Sequence, residues 1–179
     1  MNYSEWIGKT QQQKDTVSQA SVDRFCATLN ILPKQSTTLA GYHWCLCLPN
    51  TDTSKLGSDG HPPKGRFIPS IELPRRMWAA TEVEFLAPLS VGACIVRHSR
   101  IAAVYEKTGR TGELVFLEID HETFADDVLS IKERQTIVYR GAAAEATPLP
   151  KVDAAVPQGW DIVEELNPTP SLLFRYSSL

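Results

Sequence analysis

Two adjacent arginines and a nearby tryptophan are the first candidates for chemistry in this sequence. Arg75 and Arg76 are followed closely by Trp78. A guanidinium group binds phosphate or carboxylate oxygens through paired hydrogen bonds, so either arginine could hold an anionic ligand. The alternative is a solvated start of a strand, with one arginine paired to Glu82 or Glu84. The sequence does not rank Arg75 against Arg76.

Three further side chains could contact a ligand. Trp44 and Trp78 together could line an apolar pocket, although large aromatic residues also serve as plain core. In the irregular segment 50–70, Asp59 and His61 form an Asp-x-His pair that could act as acid and base or lie near a substrate. The alternative for His61 is a solvent-exposed side chain, since two prolines follow it.

The cysteines favour neither a metal site nor a nucleophile. His43, Cys45 and Cys47 alternate along the chain and cannot surround one tetrahedral zinc unless Cys26 or Cys94 completes the set. Neither Cys26 nor Cys45 has a base at a diagnostic spacing. We therefore expect reduced thiols in the core and no metal.

Composition indicates a soluble protein of ordinary type. The chain has 179 residues, of which 42% are hydrophobic and 22% charged, with a net charge of −3. This length suits one domain, or one domain with an appendage. The balance of charge argues against nucleic-acid binding, which would need a dominant basic patch. No apolar run reaches the ~20 residues that span a bilayer, and no secretory signal is visible, so a cytoplasmic location is expected.

One helix is predicted near the start of the chain. The segment 21–30 has Ser21 as a suitable N-cap and ends at Asn30. Four apolar residues share one face of this helix: Val22, Phe25, Cys26 and Leu29. The glutamine-rich residues before it are expected to be exposed. The apolar run 39–49 could be a buried strand or a short helix, because periodicity alone does not decide.

The middle of the chain predicts an antiparallel meander. Alternation over 77–85 points Met77, Thr81 and Phe85 to one side of a strand. Three more β-rich runs follow at 93–107, 114–122 and 129–140, with a hairpin turn at 108–112. The run 93–107 could be one long bent strand or two. One helix and one sheet give an α+β domain, with Phe25 and Leu29 on the concave face. The sheet residues expected against that helix are Val83, Phe85, Val104, Phe116 and Val138.

After Arg140 the chain is rich in proline and resembles a linker. It ends in the apolar segment 171–179, which we interpret as a strand that begins a second domain.

Seven segments together resemble one family. They lie at 23–29, 44–49, 56–62, 73–79, 88–92, 135–140 and 174–177. The motif Arg75-Arg76-Met77-Trp78 is the most specific. The pattern is similar to the N-terminal half of the double hot-dog, MaoC-like hydratases and dehydratases. Within that group the chain most resembles mesaconyl-CoA (3-methylfumaryl-CoA) hydratases, itaconyl-CoA hydratases and 3-hydroxyacyl-thioester dehydratases.

This resemblance implies a hot-dog fold, in which a curved antiparallel sheet wraps around one helix. It implies an N-terminal hot-dog domain over 1–145, followed over 146–179 by a linker and the start of a second such domain. It further implies that water is added to, or removed from, a CoA-linked acid. The family's water-activating Asn or Asp and His follow the Arg175-Tyr176-Ser177 segment, beyond Leu179, so no catalytic residue is expected in this chain.

The resulting expectation is the substrate-binding half of a CoA-thioester hydratase or dehydratase. Its substrate would be a small branched enoyl-CoA or 3-hydroxyacyl-CoA, with no other cofactor. The expected substrate-binding residues are Arg75, Arg76, Trp78, Trp44 and His61. The chain would form a homodimer or pair with a catalytic hot-dog domain. The alternative is a non-catalytic acyl-CoA-binding or assembly subunit.

Overall fold

The computed structural model describes residues 3–32, 40–109, 112–142 and 167–179, together with residues 159, 161 and 163. The described residues contain five strands and two α-helices. In chain order these are β1 (Thr10–Thr16), α1 (Gln19–Leu29), β2 (Arg75–Phe85), β3 (Cys94–Gly109), β4 (Gly112–Ala125), β5 (Val128–Arg140) and α2 (Pro170–Ser177). Neither helix is long and apolar enough to cross a membrane.

The five strands form one antiparallel sheet in the order β1-β3-β4-β5-β2. The predicted meander is correct for β3, β4 and β5, which pair in succession. It is wrong for β2, which pairs with β5 at the edge opposite β1. The segment that follows β2 first stays beside β5, where Leu86 N and Ala87 N donate to Ser130 O. It then crosses to the β1 edge before β3 begins, where Val17 N donates to Ala93 O.

Strand β1 was not predicted, because its sequence is polar almost throughout. It lies at the edge of the sheet, and its residues are exposed except for the half-buried Gln13. An edge strand with one partner and no apolar face lacks the alternation that identifies strands from sequence.

Helix α1 begins earlier than predicted. Ser18, not Ser21, is the N-cap, since Ser18 Oγ accepts a hydrogen bond of 3.2 Å from Ser21 N. Asn30 ends the helix as predicted and takes the left-handed conformation, with a φ of 55°. The helix buries Val22, Phe25 and Cys26.

The inner face of the sheet carries two apolar clusters. In the first, α1 packs near the ends of the strands, against residues that include Ile95, Ala125 and Ile131. The second cluster lies further along the same face and includes Ile101, Leu117 and Ile137, with partly buried residues of segment 67–73 packed against it. The prediction of a helix on one face of an antiparallel sheet is therefore confirmed.

Several predicted core contacts are wrong, because β2 contains a bulge and because the residues expected inside on β4 and β5 alternate with the inward-facing ones. The register of β2 shifts between Trp78 and Ala80, so Met77 and Thr81 face opposite sides. Phe116 and Val138 pair with each other on the outer face, next to the inward-facing Leu117 and Ile137. Phe85 faces inward by register but is 51% exposed. Of the five sheet residues expected near the helix, Val83 packs against the first cluster, and Val104 packs against the second.

The apolar run 39–49 contains a short 3₁₀-helix, Tyr42–Cys45, rather than a strand. It buries Tyr42 and His43, and the Tyr42 ring meets Phe25 of α1 edge-on with a centroid distance of 5.6 Å. The predicted irregular segment 50–70 is confirmed, with a single 3₁₀ turn at Thr53–Lys55.

The predicted strand over 171–179 is wrong, because α2 occupies this segment. Thr169 caps the helix, with Thr169 Oγ1 accepting a hydrogen bond of 3.2 Å from Leu172 N, and Pro170 stands at the first helical position. Threonine followed by proline is a favourable helix start, and it outweighs the apolar pattern. The proline-rich linker and the boundary expected at 145 fall within 143–166, nearly all of which lies outside the described residues.

Candidate functional site

A row of polar side chains crosses the inner face of the sheet between the two apolar clusters. Ser99, His121 and Glu133 lie side by side in register on β3, β4 and β5. Ser99 is 2% exposed and Glu133 is 7% exposed. Burying polar groups costs free energy unless they are paired, so packing alone does not account for such a row. We call Ser99, His121, Glu133 and the adjacent Arg97 the polar row.

Glu133 links three elements. Its Oε1 accepts hydrogen bonds from Trp44 Nε1, at 3.1 Å, and from Thr81 Oγ1, at 2.9 Å. Its Oε2 lies 3.7 Å from His43 Nε2. Strand β5 is thereby joined to β2 and to the 3₁₀-helix, and the Trp44 ring is fixed above the sheet.

His43 is buried without a hydrogen bond. It is 4% exposed, and neither ring nitrogen has a hydrogen-bond partner among the described residues. Its ring lies between Trp44, with a centroid distance of 4.7 Å, and Phe85, at 5.5 Å. Burial lowers the pKa of His43, Glu133 opposes that shift, and Arg97 adds to it.

His121 bonds within the polar row. Its Nδ1 lies 2.7 Å from Ser99 Oγ. The pKa of His121 is lowered to about 4, first by burial and then by the positive charge of Arg97, against an opposing effect of Glu133. At neutral pH the His121 ring is therefore uncharged.

Arg97 attaches the polar row to the edge strand and to the end of the apolar run. Its Nη2 donates to Gln13 Oε1 at 3.1 Å and to Cys47 O at 2.9 Å, while Gln13 Nε2 donates to the same carbonyl oxygen at 2.8 Å. Arg97 Nε has no partner among the described residues. The arginine holds Cys47 in place with a φ of 55°, where a non-glycine residue is uncommon.

A cavity of about 270 Å³ opens beside His43. Its lining consists of Ala40, His43, Phe85, Leu86, Ala87, Pro88, Leu89 and Ile131. His43 is the one ionisable side chain of this lining. Binding sites for drug-sized ligands have volumes of roughly 300–1,000 Å³, so a space of this size suits a short apolar group.

The two predicted tryptophans meet near this cavity. The Trp44 and Trp78 rings lie edge to face, with centroids 5.7 Å apart and planes 85° apart. Trp44 is 37% exposed and Trp78 is 53% exposed, so neither is plain core. The rings of Phe85, His43, Trp44 and Trp78 form a continuous chain of contacts, which we call the aromatic chain.

The two predicted arginines lie on opposite faces. Arg76 pairs with Tyr139 on the inner face, and Arg75 pairs with Arg140 on the outer face. Burial raises the pKa of Tyr139, and the charge of Arg76 acts against that rise. Lys64 Nζ lies 5.3 Å from the centroid of the same tyrosine ring. The basic side chains Arg76 and Lys64 therefore lie near Tyr139, at the end of the inner face beyond the tryptophans.

His61 lies in an exposed turn. Its Nδ1 is 2.8 Å from Asp59 O, and its backbone N donates to Asp59 Oδ1 at 3.1 Å. These contacts are local and shape the turn. The charge of Asp59 contributes to raising the pKa of Tyr139, so this turn lies within electrostatic range of that tyrosine.

The cysteines form no metal site among the described residues, which hold no cluster of three or more suitable ligands. Cys26 and Cys47 are buried, and Cys94 is exposed. Burial raises the pKa of the Cys45 and Cys47 thiols, which disfavours the thiolate that a nucleophile needs.

Sequence analysis missed the polar row, although a signal was present. On β5 the residues 131, 133, 135, 137 and 139 share one face, and most of them are apolar. A glutamate at the second of these positions is a charge on a core-facing side. The same spacing argument applied to β4 would have placed His121 between Ile119 and Thr123 on the inner face.

The hydroxyacyl-thioester dehydratase type 2 family matches residues 41–179. The chain is 37% identical over 180 residues to a mesaconyl-C(4)-CoA hydratase of Chloroflexus aurantiacus. That match covers 97% of this chain but 63% of the relative, so the chain spans less than two thirds of the relative's length.

Solved structures share the fold at low sequence identity. A MaoC-like dehydratase of Phytophthora capsici matches 98% of this chain and 63% of its own, with a TM-score of 0.68 and 16% identity. The ChsH1–ChsH2 complex of Mycobacterium tuberculosis matches 82% of this chain and 90% of its own, with a TM-score of 0.57 and 12% identity. The curved sheet around α1 is thus the hot-dog fold, and the chain belongs to the hydroxyacyl-thioester dehydratase type 2 family.

Proposed function

We propose that this chain is the substrate-binding half of a hydro-lyase acting on a small branched enoyl-CoA or 3-hydroxyacyl-CoA. The observation that carries the proposal is the cavity of about 270 Å³, with apolar lining and one histidine, at one end of the aromatic chain. A short acyl group would occupy this cavity. The name of the relative from Chloroflexus aurantiacus, a C4-linked mesaconyl-CoA hydratase, is consistent with that size.

The arrangement of the inner face supports a direction for the ligand. With the acyl group beside His43, the thioester arm would run past Trp44 and Trp78, whose exposed rings offer apolar contact. The phosphates of CoA would then meet Arg76 and Lys64 at the Tyr139 end. Arginine and lysine are the side chains that most often bind phosphate groups in proteins.

The proposed reaction adds water across the α,β double bond of the acyl group, or removes it. By the resemblance to double hot-dog enzymes, an Asn or Asp and a His of the second hot-dog domain would activate the water. This chain would hold the acyl group and keep other water away from it. It would act as a homodimer or together with a catalytic hot-dog domain, since an exposed sheet edge favours pairing.

The test uses the full chain with three ligands. Calorimetry measures the affinity for mesaconyl-CoA, crotonyl-CoA and CoA, while the absorbance of the enoyl thioester reports turnover. We expect the acyl thioesters to bind without turnover, and turnover to begin when a polypeptide carrying the second hot-dog domain of the relative is added.

Three results would change this conclusion. If none of the three ligands binds, the proposed function is wrong. Turnover by the chain alone would contradict the division of labour and place the water chemistry within this chain. Binding without turnover, even with the added polypeptide, would favour the alternative of an acyl-CoA-binding or assembly subunit.

A further inference from the structure

Charged side chains on the outer face of the sheet alternate in sign from strand to strand. In one row, the residues paired across β2, β5, β4 and β3 are Glu82, Arg134, Asp120 and Arg100. Arg134 Nε donates to Asp120 Oδ1 at 2.7 Å, and Arg100 Nη2 donates to Asp120 Oδ2 at 3.0 Å. The row two residues further along the strands has the same alternation, in Glu84, Lys132 and Glu122. Opposite charges that face each other across strands stabilise a sheet, and like charges destabilise it.

One row of the same face breaks this alternation. Arg75 of β2 lies directly opposite Arg140 of β5. Beyond Arg140 the row continues through Leu114 of β4 to Lys107 of β3. Three of its four residues are therefore cations, and none is a carboxylate. Two like charges that face each other in this way cost stability unless an anion lies between them.

The acidic residues nearest in sequence lie on the other face. Glu106 and Glu113 adjoin Lys107 and Leu114 in the chain, and strand alternation places both on the inner face. There they add to the effect of burial in raising the pKa of Tyr3, which packs in the second apolar cluster. They do not share a face with the arginine pair.

The two arginines have donors to spare. Neither Arg75 nor Arg140 forms a hydrogen bond or an ion pair with any part of the chain that the structure describes. Arg140 is half-buried with its Nε fully buried, whereas its terminal nitrogens are not buried. The burial of the stem restricts the guanidinium group to this position. Two neighbouring guanidinium groups with free terminal nitrogens can bind one phosphate group through paired hydrogen bonds.

Lys107 belongs to the same positive region. Its Nζ lies 5.2 Å from the ring centroids of both Tyr105 and Phe116, two residues that pair on the outer face. These contacts hold the ammonium group over the sheet rather than extended into solvent. It therefore adds positive charge on the side of Arg140 away from Arg75.

We propose that Arg75 and Arg140 form a binding site for a phosphate group on the outer face of the sheet. A phosphate between the two guanidinium groups removes the repulsion of the pair. The site goes beyond the proposed function and does not depend on it, because the aromatic chain and the cavity lie on the inner face. Phosphate esters in solution and phospholipid headgroups both carry the group, and the experiment separates these two sources.

The experiment compares the wild-type full chain with Arg75→Gln, Arg140→Gln and Arg75→Glu. Arg100→Gln is the matched control, because Arg100 is on the same face but is already paired with Asp120. Calorimetry measures the affinity for inorganic pyrophosphate. Sedimentation measures binding to phosphatidylcholine vesicles with and without phosphatidic acid. Thermal unfolding of each variant, with and without pyrophosphate, provides a second readout.

We expect pyrophosphate to bind the wild type and Arg100→Gln equally, and to bind Arg75→Gln and Arg140→Gln about tenfold more weakly. Arg75→Glu should abolish binding. Without ligand it should unfold at a higher temperature than the wild type, because a carboxylate opposite Arg140 turns a repulsion into an attraction. Pyrophosphate should raise the unfolding temperature of the wild type but not that of Arg75→Glu. If only the vesicles with phosphatidic acid bind, with the same ranking of variants, the phosphate is that of a lipid headgroup.

Two results would overturn the inference. One is a wild-type chain that binds neither pyrophosphate nor vesicles with phosphatidic acid. The other is an equal loss of binding in Arg75→Gln and Arg100→Gln, which would show a response to overall charge. If Arg140→Gln does not fold, the two variants of the exposed Arg75 decide. No CoA thioester is used, so a failure of this site leaves the proposed function untouched, and the reverse also holds.

Discussion

Trp44 Nε1 donates a hydrogen bond of 3.1 Å to Oε1 of Glu133, a residue 89 positions further along the chain. This bond joins the short 3₁₀-helix, which carries His43, to the middle of the polar row. It places one edge of the Trp44 ring against the sheet and leaves the other free to meet Trp78. The candidate site is therefore built around a single buried carboxyl group.

Removing that carboxyl group should destabilise the fold. We expect Glu133→Ala to lower the free energy of unfolding by about 1–3 kcal/mol, because Trp44 Nε1 and Thr81 Oγ1 lose their acceptor. Urea denaturation followed by tryptophan fluorescence measures the change. Glu84→Ala is the control, since Glu84 is exposed and its replacement should cost no more than about 0.5 kcal/mol. Equal effects in the two variants would contradict a structural role for Glu133.

His121 predicts how stability depends on pH. Its folded-state pKa of about 4 is below the usual 6.5, so the unfolded chain binds the proton more readily. The contribution of uncharged His121 to the free energy of unfolding is therefore fully present above about pH 6.5, and it is lost as the pH falls towards 4. The difference between the two pKa values corresponds to a loss on the order of 3 kcal/mol in the free energy of unfolding.

Thermal unfolding between pH 7 and pH 4 measures this dependence. We expect His121→Asn to weaken the pH dependence, because asparagine cannot take up the proton. Asp120 acts at lower pH in the same direction, since hydrogen bonding to Arg134 lowers its pKa. If the stability of the variant falls with pH as steeply as that of the wild type throughout this range, His121 is not the group that causes the pH dependence.

The two arginines give a matched pair of variants. We expect Arg76→Gln to weaken the binding of CoA thioesters by roughly 10- to 150-fold, because a charge-assisted hydrogen bond contributes about 1.5–3 kcal/mol. Arg75→Gln should leave affinity unchanged, since Arg75 faces the other side of the sheet. Calorimetry measures the affinity of each variant at two salt concentrations. The loss of affinity caused by Arg76→Gln should be smaller at high salt, because salt screens the interaction between the arginine and phosphate. A larger loss of affinity in Arg75→Gln than in Arg76→Gln would place the CoA phosphates on the outer face.

Trp78 tests the aromatic chain. Because this side chain is 53% exposed, we expect Trp78→Ala to cost little stability and yet to weaken acyl-thioester binding several-fold through lost apolar contact. Met77→Ala is the matched control, as Met77 is the preceding residue and is 39% exposed on the opposite face. Quenching of fluorescence by added thioester provides an independent measure. Equal losses of affinity from the two variants would argue against a ligand on the inner face.

Local patterns in the sequence determined much of this fold. The stripe of Val22, Phe25 and Cys26 predicted α1, because helical spacing brings apolar residues to one side whatever they later contact. The hairpin succession from β3 to β5 followed from the glycine turn at 108–112 and from strand alternation. The pair Trp44 and Trp78, and the arginines of β2, were also identified as candidates from residue type alone.

Tertiary structure decided the rest, for physical reasons. Bulges at β2 and β3 shift the register by one residue, which moves side chains to the other face without leaving a mark in the local pattern. Arg75 and Arg76 lie on opposite faces because successive strand residues alternate, and the pairing of β2 with β5 decided that Arg76 is the one on the inner face. The polar strand β1 forms because β3 supplies its hydrogen bonds, and α2 forms where a strand was expected because Thr169 caps it.

The polar row likewise depends on pairing between distant strands. Ser99, His121 and Glu133 are far apart in the chain and meet only because β3, β4 and β5 align in one register. The sequence by itself therefore determined which residue types were available for a ligand site. The alignment of strands and the contacts of the 3₁₀-helix decided that His43, Glu133 and the two tryptophans stand together. Side-chain proximity across a sheet is set by register and not by spacing along the chain.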